Sequence, residues 1–498
     1  MRNKYLKIKK DYYLDYNFYL NQKSNYLFFL LKYFIYKSNK DYINKKTNIN
    51  FNIGNYMLDN NQKEAIFTDE INTLVLAGAG SGKTLTIIGK IKYLIEEKGI
   101  NEKEILCLSF TNDSVNDLKK KINYNLDIFT FHKLALKIIE DYKINKVIKG
   151  NYLGYIIDEI FLSIVSNIDE KMLKYFNNTI TSFINLFKNY NYDISYFDSL
   201  CKKYKDKKML ELIKKVYLIY QEELESSNSI DFNDMINYAC DLINKKGLKR
   251  YYKYIIIDEF QDISENRCEL IKKIRDSTNS KIFAVGDDYQ SIYKFSGSKI
   301  DMITNFKKYF GHVKVIKLCN TYRNSYELIR VSTKFIMRNK NQVKKKLNSN
   351  KSLYKPIKII YYKKNMDIKF NKLIEKIDTN ILVLGRNNYD LSFVFNVENK
   401  DKYNFKTIHK SKGLEEENVI ILNLSNNIYG FPNKKKDDLS SLLLPKEKYL
   451  YEEERRLFYV ALTRTKNYVY LFVDKDNPSI FVKEILRKNK KYIEVLDL

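Results

Sequence analysis

Thr73-Leu74-Val75-Leu76-Ala77-Gly78-Ala79-Gly80-Ser81-Gly82-Lys83-Thr84 is the stretch from which the rest of the chain can be read. An apolar run of strand type feeds a glycine-rich turn. Lys83-Thr84 then opens a helical pattern carried by Leu85, Ile87, Ile88 and Ile91. This is how a phosphate-binding loop is written. Glycines let backbone N–H groups curl around phosphates, a lysine reaches the β- and γ-phosphates, and a hydroxyl ligates Mg²⁺. Residues Ala77 to Thr84 are therefore expected to hold a nucleotide, with Lys83 on its phosphates and Thr84 on the metal. One position departs from the strict pattern, because Ala77 stands where the general motif has glycine.

At 498 residues the chain has room for about three or four domains of ordinary size. A hydrophobic content of 44% and an aromatic content of 14% exclude global disorder. The formal net charge of +28 suits a polyanionic partner. The crowding of Lys, Asn, Ile and Tyr, with 4 Pro and no Trp, is equally what an AT-rich genome leaves behind, so charge supports nucleic-acid binding without deciding it. The five cysteines include no C-x-x-C pair, which points to reduced thiols in a cytosol-like compartment and away from a zinc or iron–sulfur site. No secretory signal is expected at the N-terminus. The apolar run Tyr26–Tyr36 contains Lys32 and is too short to span a bilayer, so it reads as a packing helix.

Further chemistry follows in order. Gln62 lies on a helix just upstream of the glycine-rich strand, and a glutamine amide can read an adenine edge through paired donor and acceptor bonds. Ile105–Phe110 reads as a buried parallel strand running into Thr111-Asn112-Asp113. From about Asn145 to Ser229 the pattern is helical, as in an inserted subdomain. Tyr254-Ile255-Ile256-Ile257 is another apolar strand, and it ends in Asp258-Glu259-Phe260-Gln261-Asp262. Two acids at the carboxyl end of a buried strand, beside a phosphate loop, fit Asp258 as the Mg²⁺-linked acid and Glu259 as the base that orients the attacking water. Strand-like runs at Val313–Leu318, Ile357–Tyr362, Ile381–Leu384, Val419–Leu424 and Tyr468–Val473 repeat the α/β logic in the second half. Phosphate chemistry in one half and arginines in the other imply a site built where the halves meet. Six of the fifteen glycines (Gly78, Gly80, Gly82, Gly286, Gly297, Gly413) fall inside these short stretches.

Taken together, the segments from about Leu58 to Arg464 resemble the UvrD/Rep group of superfamily 1 DNA helicases, and within it most closely the DNA helicase IV branch. Gln62 matches the Q motif, and AGAGSGKT matches motif I with its alanine. SFTND at Ser109–Asp113 and TFH at Thr130–His132 resemble Ia and Ib. DEFQD, GDDYQSIYKFSG, NTYR, TIHKSKGLE and EERRLFYVALTR resemble motifs II to VI in the family's order. The resemblance implies two RecA-like P-loop NTPase domains that clamp ATP and Mg²⁺ and step from 3′ to 5′ along single-stranded DNA. It implies that Gln290 senses the γ-phosphate, that Arg323 and Arg464 are arginine fingers, and that Glu415 contacts the ribose. Tyr322 would cover one face of the base. DNA contact would fall to Phe110, Thr111, Asn112, Phe131, His132, Tyr293, Phe295 and His409.

The expected boundaries are a helical appendage at 1–55, a first RecA-like domain at 56–144 and 229–300 with a helical insertion at 145–228, and a second RecA-like domain at 301–498. The second domain has a reduced version of the subdomain that well-studied relatives insert between the counterparts of Arg323 and His409. Two further departures stand out: Leu85 replaces an adenine-stacking arginine, and Phe295 stands where many relatives have tryptophan. The implied activity is an ATP-dependent 3′-to-5′ helicase of replication, recombination or repair. Its expected partners are single-stranded DNA and duplex junctions, with no membrane and with a monomer as the expected form. The expected location is the cytoplasm, or wherever the genome of its host or virus is replicated. Two other readings stay open: a single-strand translocase that displaces proteins, and a nucleic-acid-binding protein with an inactive motor.

Overall fold

Short aliphatic runs bounded by turn residues become parallel strands buried on both faces, and the segments between them become the covering helices. In the computed structural model the described residues are 12–15, 17, 28–143, 147–148, 152–164, 169–204, 207–391, 403–434 and 439–498. The strands are, in chain order, β1 (Asn52–Ile53), β2 (Tyr56–Met57), β3 (Asn72–Leu76), β4 (Ile105–Ser109), β5 (Asp127–Thr130), β6 (Val147–Ile148), β7 (Ser229–Ile230) and β8 (Tyr254–Ile257). They continue with β9 (Lys281–Gly286), β10 (Lys314–Lys317), β11 (Ile357–Tyr362), β12 (Ile381–Gly385), β13 (Tyr403–Thr407), β14 (Glu416–Leu424), β15 (Thr465–Asp474) and β16 (Ile493–Leu496).

Two six-stranded sheets result, ordered β10-β3-β9-β8-β4-β5 and β13-β12-β14-β15-β11-β16, and every pairing within them is parallel. This is the α/β architecture of two RecA-like domains. One boundary moves. β10 pairs with β3 in the register Lys314↔Thr73 to Lys317↔Leu76, and Leu318 N donates to Leu76 O at 2.9 Å. The first α/β unit therefore runs to about Leu318 rather than ending at residue 300.

The helices Tyr152–Ile164, Glu170–Asn189, Tyr196–Lys203 and Lys207–Ser226 form a separate apolar core, which also receives Leu443 from the second half of the chain. The short pair β6–β7 ties the two ends of this insertion together. At the N-terminus, the helix Phe28–Thr47 is followed by the antiparallel hairpin β1–β2. Both dock on the first domain: the Tyr42 and Tyr93 hydroxyls are 2.8 Å apart, and Phe51 packs edge-on against Phe67 at 5.2 Å. Among the described residues no helix is long and apolar enough to cross a membrane. Of the reduced insertion expected between Arg323 and His409, residues 392–402 lie outside the described residues.

Loops at the carboxyl ends of parallel strands are where such sheets place chemistry. The glycine-rich turn follows β3, Phe110-Thr111 follows β4, Asp258-Glu259 follows β8 and Asp287-Asp288 follows β9. One edge of one sheet thus gathers what the sequence scatters over more than two hundred positions.

Candidate active site and nucleic-acid cleft

Ala77 continues the strand geometry, donating its N–H to Gly286 O at 2.9 Å, and its methyl is fully buried. Glycine is required further on. Gly80 has φ +69° and Gly82 has φ +78°, and a Cβ on Gly80 would stand 2.5 Å from Arg323 Cβ. The second domain's segment therefore lies directly on the loop, with Tyr322 N donating to Gly80 O at 2.9 Å and Thr321 Oγ1 donating to Ala79 O at 2.7 Å. The helix Lys83–Lys92 starts at Gly82 without a side-chain cap, so its first N–H groups remain available to an anion.

Gln62 is fully buried at the loop's flank. Its Oε1 accepts from Asp59 N at 2.9 Å, and its Nε2 donates to Ser81 O at 3.3 Å. Each end of the amide is engaged once, which fixes its orientation and leaves one N–H and one lone pair for a purine edge. Tyr322 is 58% exposed beside it and donates its hydroxyl to Asp59 Oδ2 at 2.8 Å, leaving a ring face open.

Behind the loop, Lys83 Nζ donates to Glu259 Oε1 at 2.6 Å. Glu259 sits at φ +50°, an unusual backbone for a side chain of its size and of the sort found at functional sites. Burial works to raise its carboxyl, but Lys83 and then Lys412 outweigh burial and hold it ionised. Asp258 is pushed the other way by burial and then by the charge of Glu259. A buried acid whose charge is penalised in this way, with the Thr84 hydroxyl at the start of the adjoining helix, offers the hard oxygen donors that fit Mg²⁺.

The halves meet at Gln290. Its Nε2 donates to Asp287 Oδ2 at 2.7 Å, and its Oε1 accepts from Arg464 Nη2 at 2.5 Å. Arg464 is almost fully buried and also donates to Leu414 O at 3.3 Å and Val460 O at 3.2 Å. Arg323 and Glu415, expected on phosphate and ribose, are here bonded to each other, Arg323 Nε to Glu415 Oε2 at 2.6 Å.

Sequence reasoning assigned no role to Lys345, Gln261 or Lys412. Lys345 is wholly buried and reaches Ala77 O at 2.8 Å, Asp287 Oδ1 at 2.5 Å and Asp288 Oδ1 at 2.7 Å. Gln261 Oε1 accepts from Asp287 N at 2.8 Å, and Lys412 is paired with Asp262 and stands 3.9 Å from Glu259. Lys412 and Gln261 lay inside quoted motifs. Lys345 stands outside every motif read from the sequence.

Above this site a cleft of about 1040 Å³ opens between the first sheet and the helical insertion. Phe110, Thr111, Asn112, His132 and Phe295 line it. Tyr293 lies behind them, stacked on Phe110 with centroids 5.5 Å apart and planes 9° from parallel, and its hydroxyl donates to His409 O at 3.3 Å. Phe295 is 56% exposed and meets His409 edge-on at 5.4 Å. Burial, then nearby positive charge, pushes both His132 and His409 down to about 4, so both imidazoles are neutral at pH 7. Phe131 departs from expectation. At 4% exposure it belongs to the core of the first domain with Leu134 and Ile138, because it opens a helix whose apolar face turns to the sheet. It packs and offers no face for stacking.

Known proteins resemble this chain over most of its length. Residues 58–311 match the UvrD/REP helicase N-terminal domain, and residues 194–476 match the UvrD-like helicase C-terminal domain. The chain is 30% identical over 475 residues to DNA helicase IV of Escherichia coli (strain K12), covering 86% of this chain and 69% of that protein. It is 32% identical over 342 residues to ATP-dependent DNA helicase Rep of Buchnera aphidicola subsp. Acyrthosiphon pisum, covering 64% of this chain and 51% of that one. It is 29% identical over 320 residues to ATP-dependent DNA helicase PcrA of Bacillus subtilis, covering 61% and 42%. The chain thus spans about half the length of Rep and less of PcrA. With both domain matches spread over two RecA-like sheets whose motif loops converge on one site, the chain belongs to the UvrD/Rep helicase family.

Proposed function

We propose that this UvrD/Rep-family protein is an ATP-dependent DNA helicase that moves from 3′ to 5′ on single-stranded DNA and opens duplex junctions. The observation that carries the reading is the contact of Arg464, from the second domain, with Gln290 beside the phosphate loop of the first. A site finished only when two domains meet can convert each hydrolysis into a relative movement of those domains.

In this reading the loop N–H groups and Lys83 take the phosphates. Lys83 must then leave Glu259, which frees that carboxylate to accept the proton of the attacking water. Mg²⁺, held by Thr84 and Asp258, would supply charge neutralisation between the phosphates. Gln290 meets the terminal phosphate, Arg464 stabilises the charge that develops on it, and Arg323 joins once its bond to Glu415 is exchanged for substrate. Glu415 is then free for the ribose, with Gln62 and Tyr322 on the base. Phe110, Phe295 and His132, with Thr111 and Asn112, face the strand in the cleft. Stacking on such rings tolerates any sequence, which suits a motor that passes over every base. The pairing of strand and motor points to the compartment where the genome is copied.

The test is ATP hydrolysis with and without single-stranded DNA, followed by strand separation on duplexes with a 3′ or a 5′ tail, with K83A as control. DNA-stimulated hydrolysis with unwinding from the 3′ tail alone is expected. Stimulated hydrolysis without separation would make the protein a translocase, and unwinding from the 5′ tail would overturn the polarity.

A further inference from the structure

The cleft contrasts with the chain around it. The protein carries 88 lysines and arginines, yet among the described residues lining the cleft Arg267 is the single lysine or arginine. It stands on the first turn of the helix Glu265–Thr278, just beyond the motif that ends in Asp262. Its guanidinium lies over the Phe110 ring at 4.6 Å, on a ring that is itself stacked on Tyr293. Its Nε and Nη1 are sealed from solvent and have no hydrogen-bond partner among the described residues.

That arrangement is costly as it stands. A desolvated guanidinium with unused donors is destabilising unless an anion completes it. Asp262 lies near enough for its charge to favour the guanidinium, but it is paired with Lys412 and gives Nε and Nη1 no hydrogen bond, and the lining carboxylates do not supply one either. Asp158 Oδ1 is occupied by Asn177 at 2.8 Å, and Asp231 Oδ2 is occupied by Lys188 at 2.6 Å and Tyr220 at 3.0 Å. His132, held neutral, adds no competing positive charge. Asn112, Asn185 and Asn233 are uncharged. A ligand that fits must therefore bring one anionic group to Arg267 and flat apolar surface to Phe110 and Phe295.

We infer that Arg267 is the phosphodiester-binding cation of this cleft, gripping the backbone of a single strand whose bases lie against Phe110 and Phe295. The inference rests on the nucleic-acid reading of the cleft and adds the residue that anchors the strand. Arginine suits the place because its planar fork stacks on an aromatic ring while its edge donates to phosphate oxygens.

The experiment measures binding of the full chain to fluorescent oligothymidylate and oligouridylate 20-mers across a salt series. R267M removes the charge and keeps an apolar arm against Phe110; R267K keeps the charge without the fork. R267M is expected to weaken binding at least tenfold at low salt. It should also flatten the slope of log K against log salt by about 0.7, the share of one single-strand phosphate. R267K is expected to keep the wild-type slope with intermediate affinity. Both sugars should respond alike, because the phosphodiester is common to them. The melting temperature of R267M is expected to equal or exceed that of the wild type, since it removes an unsatisfied buried charge.

An unchanged slope in R267M, or a loss confined to one sugar, overturns the assignment. A lower melting temperature with an unchanged slope assigns Arg267 to structure instead. If R267M does not fold, a flattened slope in R267K overturns it equally. Absence of binding by the wild type would remove the nucleic-acid reading itself, whereas binding indifferent to Arg267 would remove this inference alone.

Discussion

Replacing Arg464 by alanine tests the two-domain site most directly. The side chain is 2% exposed, and its donors reach Gln290 Oε1, Leu414 O and Val460 O. Burial, then the charge of Arg323, lowers its pKa to about 10, still far above neutrality, so it carries full positive charge at the place where the proposed mechanism puts the terminal phosphate. Loss of an arginine finger costs about 10³- to 10⁵-fold in related NTPases. At about 1.36 kcal/mol per decade that is roughly 4 to 7 kcal/mol of transition-state stabilisation. The substitution also strands buried acceptors, at about 1 to 3 kcal/mol apiece at most. Melting must therefore be recorded beside turnover to separate the two costs. The assay is single-strand-stimulated ATP hydrolysis together with binding of a fluorescent ATP analogue. Turnover should fall at least about 10³-fold while affinity for the analogue changes little, because Lys83 and the loop amides are untouched. R464K should recover only part of the loss, as a point charge cannot reproduce the fork. Turnover of R464A within tenfold of the wild type, in folded protein, would refute the reasoning.

Three other outcomes follow from particular contacts. F295A should weaken single-strand binding by about 1 to 3 kcal/mol with little change in melting, whereas F131A should cost about 3 to 5 kcal/mol of stability, read as a lower melting temperature. Equal melting of the two variants would show that Phe131 is not core. G80A should abolish most ATP hydrolysis, since its φ is +69° and its Cβ would meet Arg323 Cβ at 2.5 Å. G78A meets only the movable Leu347 side chain and should be milder. Similar activity in both would contradict the packing described. The lowered pKa of His132 carries a pH signature. Its folded pKa of about 4 lies below the ordinary value near 6.5, so the unfolded chain binds more protons between those limits. The stability contributed by the neutral imidazole is full above about pH 6.5 and is lost as the pH falls towards 4. The melting-temperature difference between wild type and H132N should therefore shrink on acidification from pH 7 to 4.5. A difference independent of pH would count against a buried neutral imidazole.

Much of the fold was legible because its signals are local. Glycine spacing before Lys83-Thr84, and an apolar strand ending in Asp258-Glu259, each express backbone shape and charge within a dozen residues. The sheet to which a strand belongs is a different kind of fact. Val313–Leu318 reads as a strand from its own residues, yet only hydrogen bonding to Leu74 and its neighbours assigns it to the first domain. Phe131 and Phe295 look alike as sequence. Phe131 turns inward with a helix packed on the sheet, while Phe295 stands on a short turn open to the cleft.

Cations mark the limit most sharply. In a chain with 88 lysines and arginines, nothing local distinguishes Lys345, wholly buried between Asp287 and Asp288, from its neighbours Lys344 and Lys346. Nor does anything local single out Arg267, whose unused donors follow from what surrounds it in space. The sequence alone determined the glycine-rich loop behind β3 and the family, because those depend on residue order over short spans. The tertiary structure decided which rings and charges face the cleft, because burial and pairing are set by residues distant in sequence that only folding brings within bonding distance.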